Sequence, residues 1–249
     1  MGSDLVAIIL AAGIGKRMGS SLPKVLHPVL GRPMLEHVLD AVRGAGVRRI
    51  VVVVGHQAER VRAAVTAPDV EFALQAVQLG TGHAVLQAKP LLEGCSGTAL
   101  VLCGDTPLLG TETLLDLLAT HREAAAAATV LSAVLDDPTG YGRIVRGPDD
   151  TVRRIVEHKD ATEEERQVRE INSGLFAFSL EDLFAALGEV RADNAQGEYY
   201  LTDTLEILLR RGRRVAARTC RDPREVLGVN TLEQLRDVEG IMKERVRHA

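Results

Sequence analysis

The amino-acid sequence predicts an α/β protein: a Rossmann-like, mostly parallel sheet with helices on both faces, joined to a smaller antiparallel lobe. Three observations carry that reading. Apolar runs at residues 6–10, 50–54 and 98–103 lack the polar alternation of half-exposed strands, so both of their faces must be covered. Segments of helical spacing separate them, which makes the connections crossovers between parallel strands. From Asp136 onward the pattern changes to glycine turns between β-branched runs, as in a hairpin.

The first strand breaks into Ala11-Ala12-Gly13-Ile14-Gly15-Lys16-Arg17-Met18 and continues to Pro23-Lys24. Gly13 and Gly15 carry no Cβ and can take positive φ, so the backbone can bend sharply and aim N–H groups at an approaching anion. Lys16, Arg17 and Lys24 add positive charge, and two of only five lysines in the chain fall here. The stretch reads as a phosphate loop of neither common kind. A P-loop needs four residues between its glycines and a hydroxyl after its lysine, whereas one residue separates Gly13 from Gly15 and Arg17 follows Lys16. The dinucleotide fingerprint needs a third glycine where Met18 stands and an acidic ribose ligand after the next strand, which ends in Gly55-His56. On the loop alone, a glycine turn without a ligand stays open as the alternative.

A helix opens at Pro33, carries Met34, Leu35, Val38, Leu39 and Val42 on one face, and ends at Gly44-Ala45-Gly46. A strand at 50–54, a helix at 58–65, a short strand at 70–73, a helix at 83–91 and a strand at 98–103 follow. Ligands of such sheets bind beyond the carboxyl ends of the strands, which puts Gly13, Gln75 and Asp105 on one edge. Gln75 leads into Gln78-Leu79-Gly80-Thr81-Gly82, a turn in which Thr81 can cap the next helix and leave N–H groups free. Its amide offers both a donor and an acceptor to a ligand, and an ordinary helix cap is the turn's alternative duty. Asp105 follows a buried strand directly, between Gly104 and Pro107, and is placed to hold Mg²⁺, a hard cation taken by one or two carboxylates together with phosphates. An Asx turn or a cap for a helix at 112–124 is its alternative duty, with Thr111 as a second cap candidate.

The hairpin comprises Gly140 to Val145, a Gly147-Pro148-Asp149-Asp150 turn and residues 152–157. Thr162 to Glu165 forms a capping box for a short acidic helix, and a strand begins at Ile171-Asn172-Ser173-Gly174. Residues 194–203 are too polar for a core and run into a helix ending near Arg211-Gly212. The last helix carries Leu232, Leu235, Val238, Met242 and Val246 on one stripe, with Asn230 or Thr231 as its cap.

A length of 249 residues with 46% apolar content suits one large domain with a buried core. The formal charge of −4, 3% aromatics and absence of Trp supply neither the basic face nor the stacking platforms of a nucleic-acid binder. No apolar run approaches the roughly 20 residues of a membrane span, and no signal-peptide pattern precedes the first strand, so a cytoplasmic protein with no membrane partner is expected. Cys95, Cys103 and Cys220 are odd in number, lack metal-ligand spacing and read as reduced thiols.

The string L-A-A-G-I-G-K-R-M followed by L-P-K resembles the signature of the nucleotidyltransferases that join a nucleoside triphosphate to a sugar 1-phosphate. It departs at Lys16, where that family has Thr, and Cys103 stands where it has Tyr. G-Y-G-R-I, I-V-E-H-K-D, E-I-N-S-G and N-A-Q-G-E-Y-Y-L-T-D extend the resemblance over essentially the whole chain, toward the uridylyltransferases acting on N-acetylglucosamine 1-phosphate. The resemblance implies Mg²⁺-dependent transfer of UMP from UTP to that sugar phosphate, giving UDP-N-acetylglucosamine, a cell-wall precursor, and pyrophosphate. It implies Arg17 and Lys24 as catalytic cations and Asp105 and Asn230 as metal ligands. It further implies nucleotide contacts at Leu10, Ala11, Ala12, Gly13, Lys24, Gln75, Gly80, Thr81 and Gly104, and sugar contacts at Gly142, Glu157, Asn172, Tyr200 and Thr202. Another sugar phosphate or base, or a sugar-nucleotide sensor without turnover, are the alternatives; a homo-oligomer is compatible.

The same resemblance divides the chain into a transferase unit at 1–231, with 136–203 supplying the sugar lobe, and the start of a linking helix at 232–249. The β-helical acetyltransferase domain of bifunctional relatives is expected to be absent, since no hexapeptide pattern occurs. Leu235, Val238, Met242 and Val246 are then expected to find little to pack against, and residues 243–249 to fray.

Overall fold

A computed structural model describes residues 4–248. The elements run β1 (Asp4–Ala11), β2 (Pro28–Val29), β3 (Arg32–Pro33), α1 (Met34–Gly44), β4 (Arg49–Val54), α2 (Ala58–Ala64), β5 (Val70–Leu74), α3 (Thr81–Leu86), β6 (Gly97–Cys103) and α4 (Thr111–Glu123). There follow β7 (Ala128–Val134), β8 (Gly142–Arg146), β9 (Val152–Val156), α5 (Glu163–Arg166), β10 (Glu170–Ser179), α6 (Leu180–Leu187), α7 (Asp203–Arg210), β11 (Val215–Thr219) and α8 (Leu232–His248).

The main sheet has the order β11-β7-β10-β6-β1-β4-β5. Along this path β10 alone runs against its neighbours, pairing antiparallel with both β6 and β7, while the β1, β4, β5, β6 and β11 pairings are parallel. Side chains alternate cleanly between the two faces. Val6 and Ile8 of β1 join Val51 and Val53 of β4 on one side with α6 and α7 residues such as Leu183 and Leu205. Ala7 and Ile9 join Ile50 and Val52 on the other, against Leu35 and Val38 of α1 and Leu114 and Leu117 of α4. A strand buried on both faces is what an uninterrupted apolar run dictates.

The antiparallel hairpin expected after Asp136 is present and branches off the main sheet: β8 pairs with β10 through Ile171–Arg143 and Asn172–Gly142, and β9 pairs with β8. Other expectations need correction. Regular structure also lies where none was expected, in the short β2–β3 pair and in β7, α6 and β11. Thr81 and Thr111 do not cap. Gly80 and Gly110 hold the N-cap positions, and both threonines sit one residue inside their helices.

The last helix is also better packed than expected. Leu235, Val238, Ile241 and Met242 close over Met18, Val29, Met34, Leu108 and Val229, a third apolar cluster beneath the glycine loop. Beyond it Arg245 donates to the Leu108 carbonyl at 2.7 Å and pairs with Asp222 at 3.2 Å, while Val246 is 69% exposed. Ala249 lies outside the described residues. Among the described residues no helix is long and apolar enough to cross a membrane.

Candidate functional site

The glycine loop leaves β1 and folds into two single 3₁₀ turns, Lys16–Met18 and Lys24–Leu26, with no full helix between them. Gly15 takes φ +67° and lies so close to the second turn that a Cβ there would sit 2.9 Å from Lys24 Cβ. Any side chain at that position is doubly opposed, by backbone strain and by collision. Buried His27 fixes the second turn, its Nδ1 lying 3.3 Å from the Pro23 carbonyl and 3.2 Å from that of Lys24.

The two turns bring their cations to oxygen atoms from distant parts of the chain. Lys24 Nζ forms a short ion pair with Asp105 Oδ2 and donates to Asn230 Oδ1 at 3.2 Å. Arg17 donates to the same Asn230 oxygen at 3.0 Å. The Val229 N–H, bonded to the Asp105 carbonyl at 2.9 Å, holds the two segments together.

Capping duties at both helix starts are discharged by other side chains. Thr231 Oγ1 accepts from the Gln234 N–H at 3.2 Å and thus caps α8, leaving the Asn230 side chain for the cations. The Gly110 N–H, at the start of α4, donates to Glu225 rather than to Asp105. Asp105 and Asn230 therefore present two hard oxygen donors within reach of a single cation, a set suited to Mg²⁺ with phosphates completing its shell.

Leu10, Ala11, Ala12, Gly13, Lys24, Gln75, Gly80, Thr81 and Asp105 all line a cleft of about 280 Å³ at the carboxyl ends of β1, β5 and β6. Gly104 lies behind it, its N–H bonded to the Leu10 carbonyl at 2.9 Å. Gln75 is buried, and its amide nitrogen lies 3.1 Å from the Gly80 carbonyl and 3.0 Å from His83 Nδ1. The same cleft is lined by Val25, Gln78, Ala84, Cys103 and Glu198, which sequence reasoning did not select. Gln78 could have been suspected from its place in the glycine turn. Glu198 carried no local signal, because it arrives from the far end of the sugar lobe. Burial pushes the Cys103 thiol up to about 12, with Asp105 adding to the shift and Lys24 opposing it, so this group is inert as a nucleophile.

The five expected sugar residues gather beyond the cleft. Gly142 and Asn172 face each other across β8 and β10. A Cβ on Gly142 would lie 3.3 Å from Glu157 Oε2, and Thr202 donates to Glu157 Oε1 at 3.2 Å. Glu157 thus sits within the lobe rather than on a solvated edge. Burial raises its pKa, opposed by the Thr202 hydrogen bond and assisted by Asp160 and Glu198. Tyr200 is buried, its hydroxyl accepting from Gln196 at 2.8 Å and donating to Asp160 at 3.3 Å. Asn172 Oδ1 accepts the Gly174 N–H at 2.9 Å at a bulge in β10. Tyr141, not anticipated, is raised by burial and by the Asp105 carboxylate.

A loop of cations and backbone donors, two side-chain oxygens and a polar lobe thus meet at the carboxyl edge of a mostly parallel sheet, an arrangement suited to holding a phosphorylated ligand. The chain belongs to the family described as the MobA-like NTP transferase domain, whose model matches residues 7–175. It is 54% identical over 244 residues to a Bifunctional protein GlmU of Brevibacillus brevis, covering 98% of this chain and 53% of that protein. It is 52% identical over 247 residues to the Bifunctional protein GlmU of Halalkalibacterium halodurans, covering 99% and 54%. The chain therefore spans about half the length of these curated relatives. Its fold matches a crystal structure of UDP-glucose pyrophosphorylase complexed with UDP-glucose, with a TM-score of 0.79 at 16% identity over 97% of this chain and 99% of that one.

Proposed function

We propose that this chain transfers UMP from UTP to N-acetylglucosamine 1-phosphate, releasing pyrophosphate, with Mg²⁺ as its cofactor. The observation that carries the proposal is the convergence of Arg17, Lys24, Asp105 and Asn230 at one point of the cleft. The likeness to the bifunctional relatives over 98% of the chain supports the choice of substrates.

The sugar phosphate is the nucleophile: one of its oxygens attacks the α-phosphorus in line with the departing pyrophosphate. A phosphate monoester carries about −1.5 to −2 charge at pH 7, so no protein base is needed to activate it. The protein's task is to align two anions and offset their charge. Arg17 and Lys24 perform the second part on the triphosphate. Asp105 and Asn230 would hold Mg²⁺, which when bound supplies positive charge to the phosphate oxygens. Gln75, Gly80 and Thr81 line the end of the cleft assigned to the base, and Gly142, Glu157, Asn172, Tyr200 and Thr202 the pocket assigned to the amino sugar. Residues 1–231 form the transferase unit, and 232–249 begin the helix that leads on in the longer relatives.

Pyrophosphate release from four nucleoside triphosphates against N-acetylglucosamine 1-phosphate, glucosamine 1-phosphate and glucose 1-phosphate tests the assignment. UTP with N-acetylglucosamine 1-phosphate should give the highest kcat/KM. A preference for glucose 1-phosphate overturns the sugar assignment, and binding without turnover overturns the enzyme.

A further inference from the structure

The turn at one end of the nucleotide cleft and the segment that bounds the sugar pocket are tied to each other directly. The Tyr199 N–H donates to the Leu79 carbonyl at 2.8 Å, and the Gly82 N–H donates to the Tyr199 carbonyl at 2.8 Å. The Leu201 N–H donates to Thr81 Oγ1 at 3.0 Å across 120 residues of sequence. Gly80, at φ +107°, completes the contact, for a Cβ there would lie 2.7 Å from the Tyr199 carbonyl oxygen and 2.9 Å from Glu198 Cβ.

This geometry sets the Thr81 hydroxyl apart from the Thr81 backbone. The hydroxyl does not cap α3 but accepts a backbone donor of the opposite segment. Leu201 stands between Tyr200 and Thr202, whose hydroxyls reach Asp160 and Glu157 in the sugar pocket. We propose that Thr81 is a positioning residue for the sugar phosphate: through the Leu201 N–H it fixes Tyr200 and Thr202, and so sets affinity for the sugar substrate although it belongs to the nucleotide turn. The inference rests on the proposed uridylyl transfer. It also predicts that the turn and the segment act as one unit, each ordering the other when its own substrate binds.

The test compares Thr81→Val, which keeps the shape and removes the acceptor, with Thr81→Ser, which keeps the acceptor. One lost acceptor that strands a part-buried N–H is expected to raise KM for N-acetylglucosamine 1-phosphate about tenfold in the valine variant. UTP affinity, measured by equilibrium binding without sugar, should fall by a smaller factor than affinity for the sugar phosphate, and serine should restore the sugar KM. Amide hydrogen exchange at Leu201 gives a readout free of catalysis, with faster exchange expected in Thr81→Val and near-native exchange in Thr81→Ser. Thr81→Ala serves in the same comparison should the valine variant not fold. Loss of UTP affinity equal to that for the sugar phosphate, failure of serine to rescue, or unchanged sugar KM each overturns the inference. A wild-type protein with no uridylyl transfer overturns the functional reading instead, and the Leu201 exchange result then stands alone.

Discussion

Replacing Gly15 by Ala isolates how closely the two turns of the phosphate loop depend on each other. Gly15 lies at φ +67°, a left-handed conformation that costs an L residue about 1–2 kcal/mol. The added methyl also falls 2.9 Å from Lys24 Cβ, whereas carbon atoms rest at about 3.5–4.0 Å. Lys24 must therefore shift by about 0.6–1 Å, carrying its ammonium away from Asp105 and Asn230. A displacement near 1 Å in a group that orients reacting anions can cost about 10² in rate, so kcat is expected to fall about a hundredfold.

Gly19 supplies the control. It has φ +59° and nothing within 4 Å of its notional Cβ, so Gly19→Ala carries the same conformational cost without the collision. Both variants should lose similar stability in thermal unfolding, and Gly15→Ala alone should lose turnover in a pyrophosphate-release assay. If Gly15→Ala keeps kcat within about threefold of wild type, the claim that this glycine fixes the place of Lys24 is wrong.

Arg17→Ala and Lys24→Ala should each lower kcat by roughly 10²–10³, since each removes a cation from a site built to hold anionic charge; the same pyrophosphate assay reads the loss. Asp105→Asn should shift the Mg²⁺ concentration for half-maximal activity upward by about tenfold or more in a folded protein, and an unmoved Mg²⁺ dependence would detach Asp105 from the metal. Asp203→Asn probes the acidic rim of the sugar lobe. Burial first, then Glu206, Glu157 and Asp160, pushes the Asp203 carboxyl up to about 6. Because the folded protein then binds a proton that the unfolded chain has released, Asp203 costs stability above about pH 6, and the cost fades as pH falls toward 3.8. The asparagine variant should melt a few degrees higher than wild type at pH 8 and equally near pH 4; a larger gain at pH 4 would contradict the sign.

The parallel half of the fold was legible because β1, β4 and β6 are uninterrupted apolar runs, and α1 shows its face at plain helical spacing. The missed elements lack such signals. β7 emerges from a run of alanines that has no period, α6 has only eight residues, and β11, Val-Ala-Ala-Arg-Thr, is a short edge strand without apolar alternation. At the site, residue identities were readable from the motif strings, but their partners were not. Nothing local to Asn230 shows whether it caps α8; in the structure Thr231 takes the cap and the Asn230 side chain meets Arg17 and Lys24. The Thr81 hydroxyl was misassigned for a related reason. A threonine after glycine at a helix start looks like a cap, and the competing donor, the Leu201 N–H, lies 120 residues away.

The packing of α8 beneath the glycine loop bears on how the molecule is made. Met18 follows Arg17 in the glycine loop, yet its apolar partners Val229 and Val238 lie more than two hundred residues further along the chain. Arg17 likewise meets Asn230 across 213 residues. The sheet strands β1, β4, β5 and β6 can pair while the chain is still growing, whereas the floor of the glycine loop waits until α8 has left the ribosome. A nascent chain therefore passes through a stage with these four strands paired and the loop cations Arg17 and Lys24 still without Asn230, so sheet formation and completion of the proposed site are separated in time.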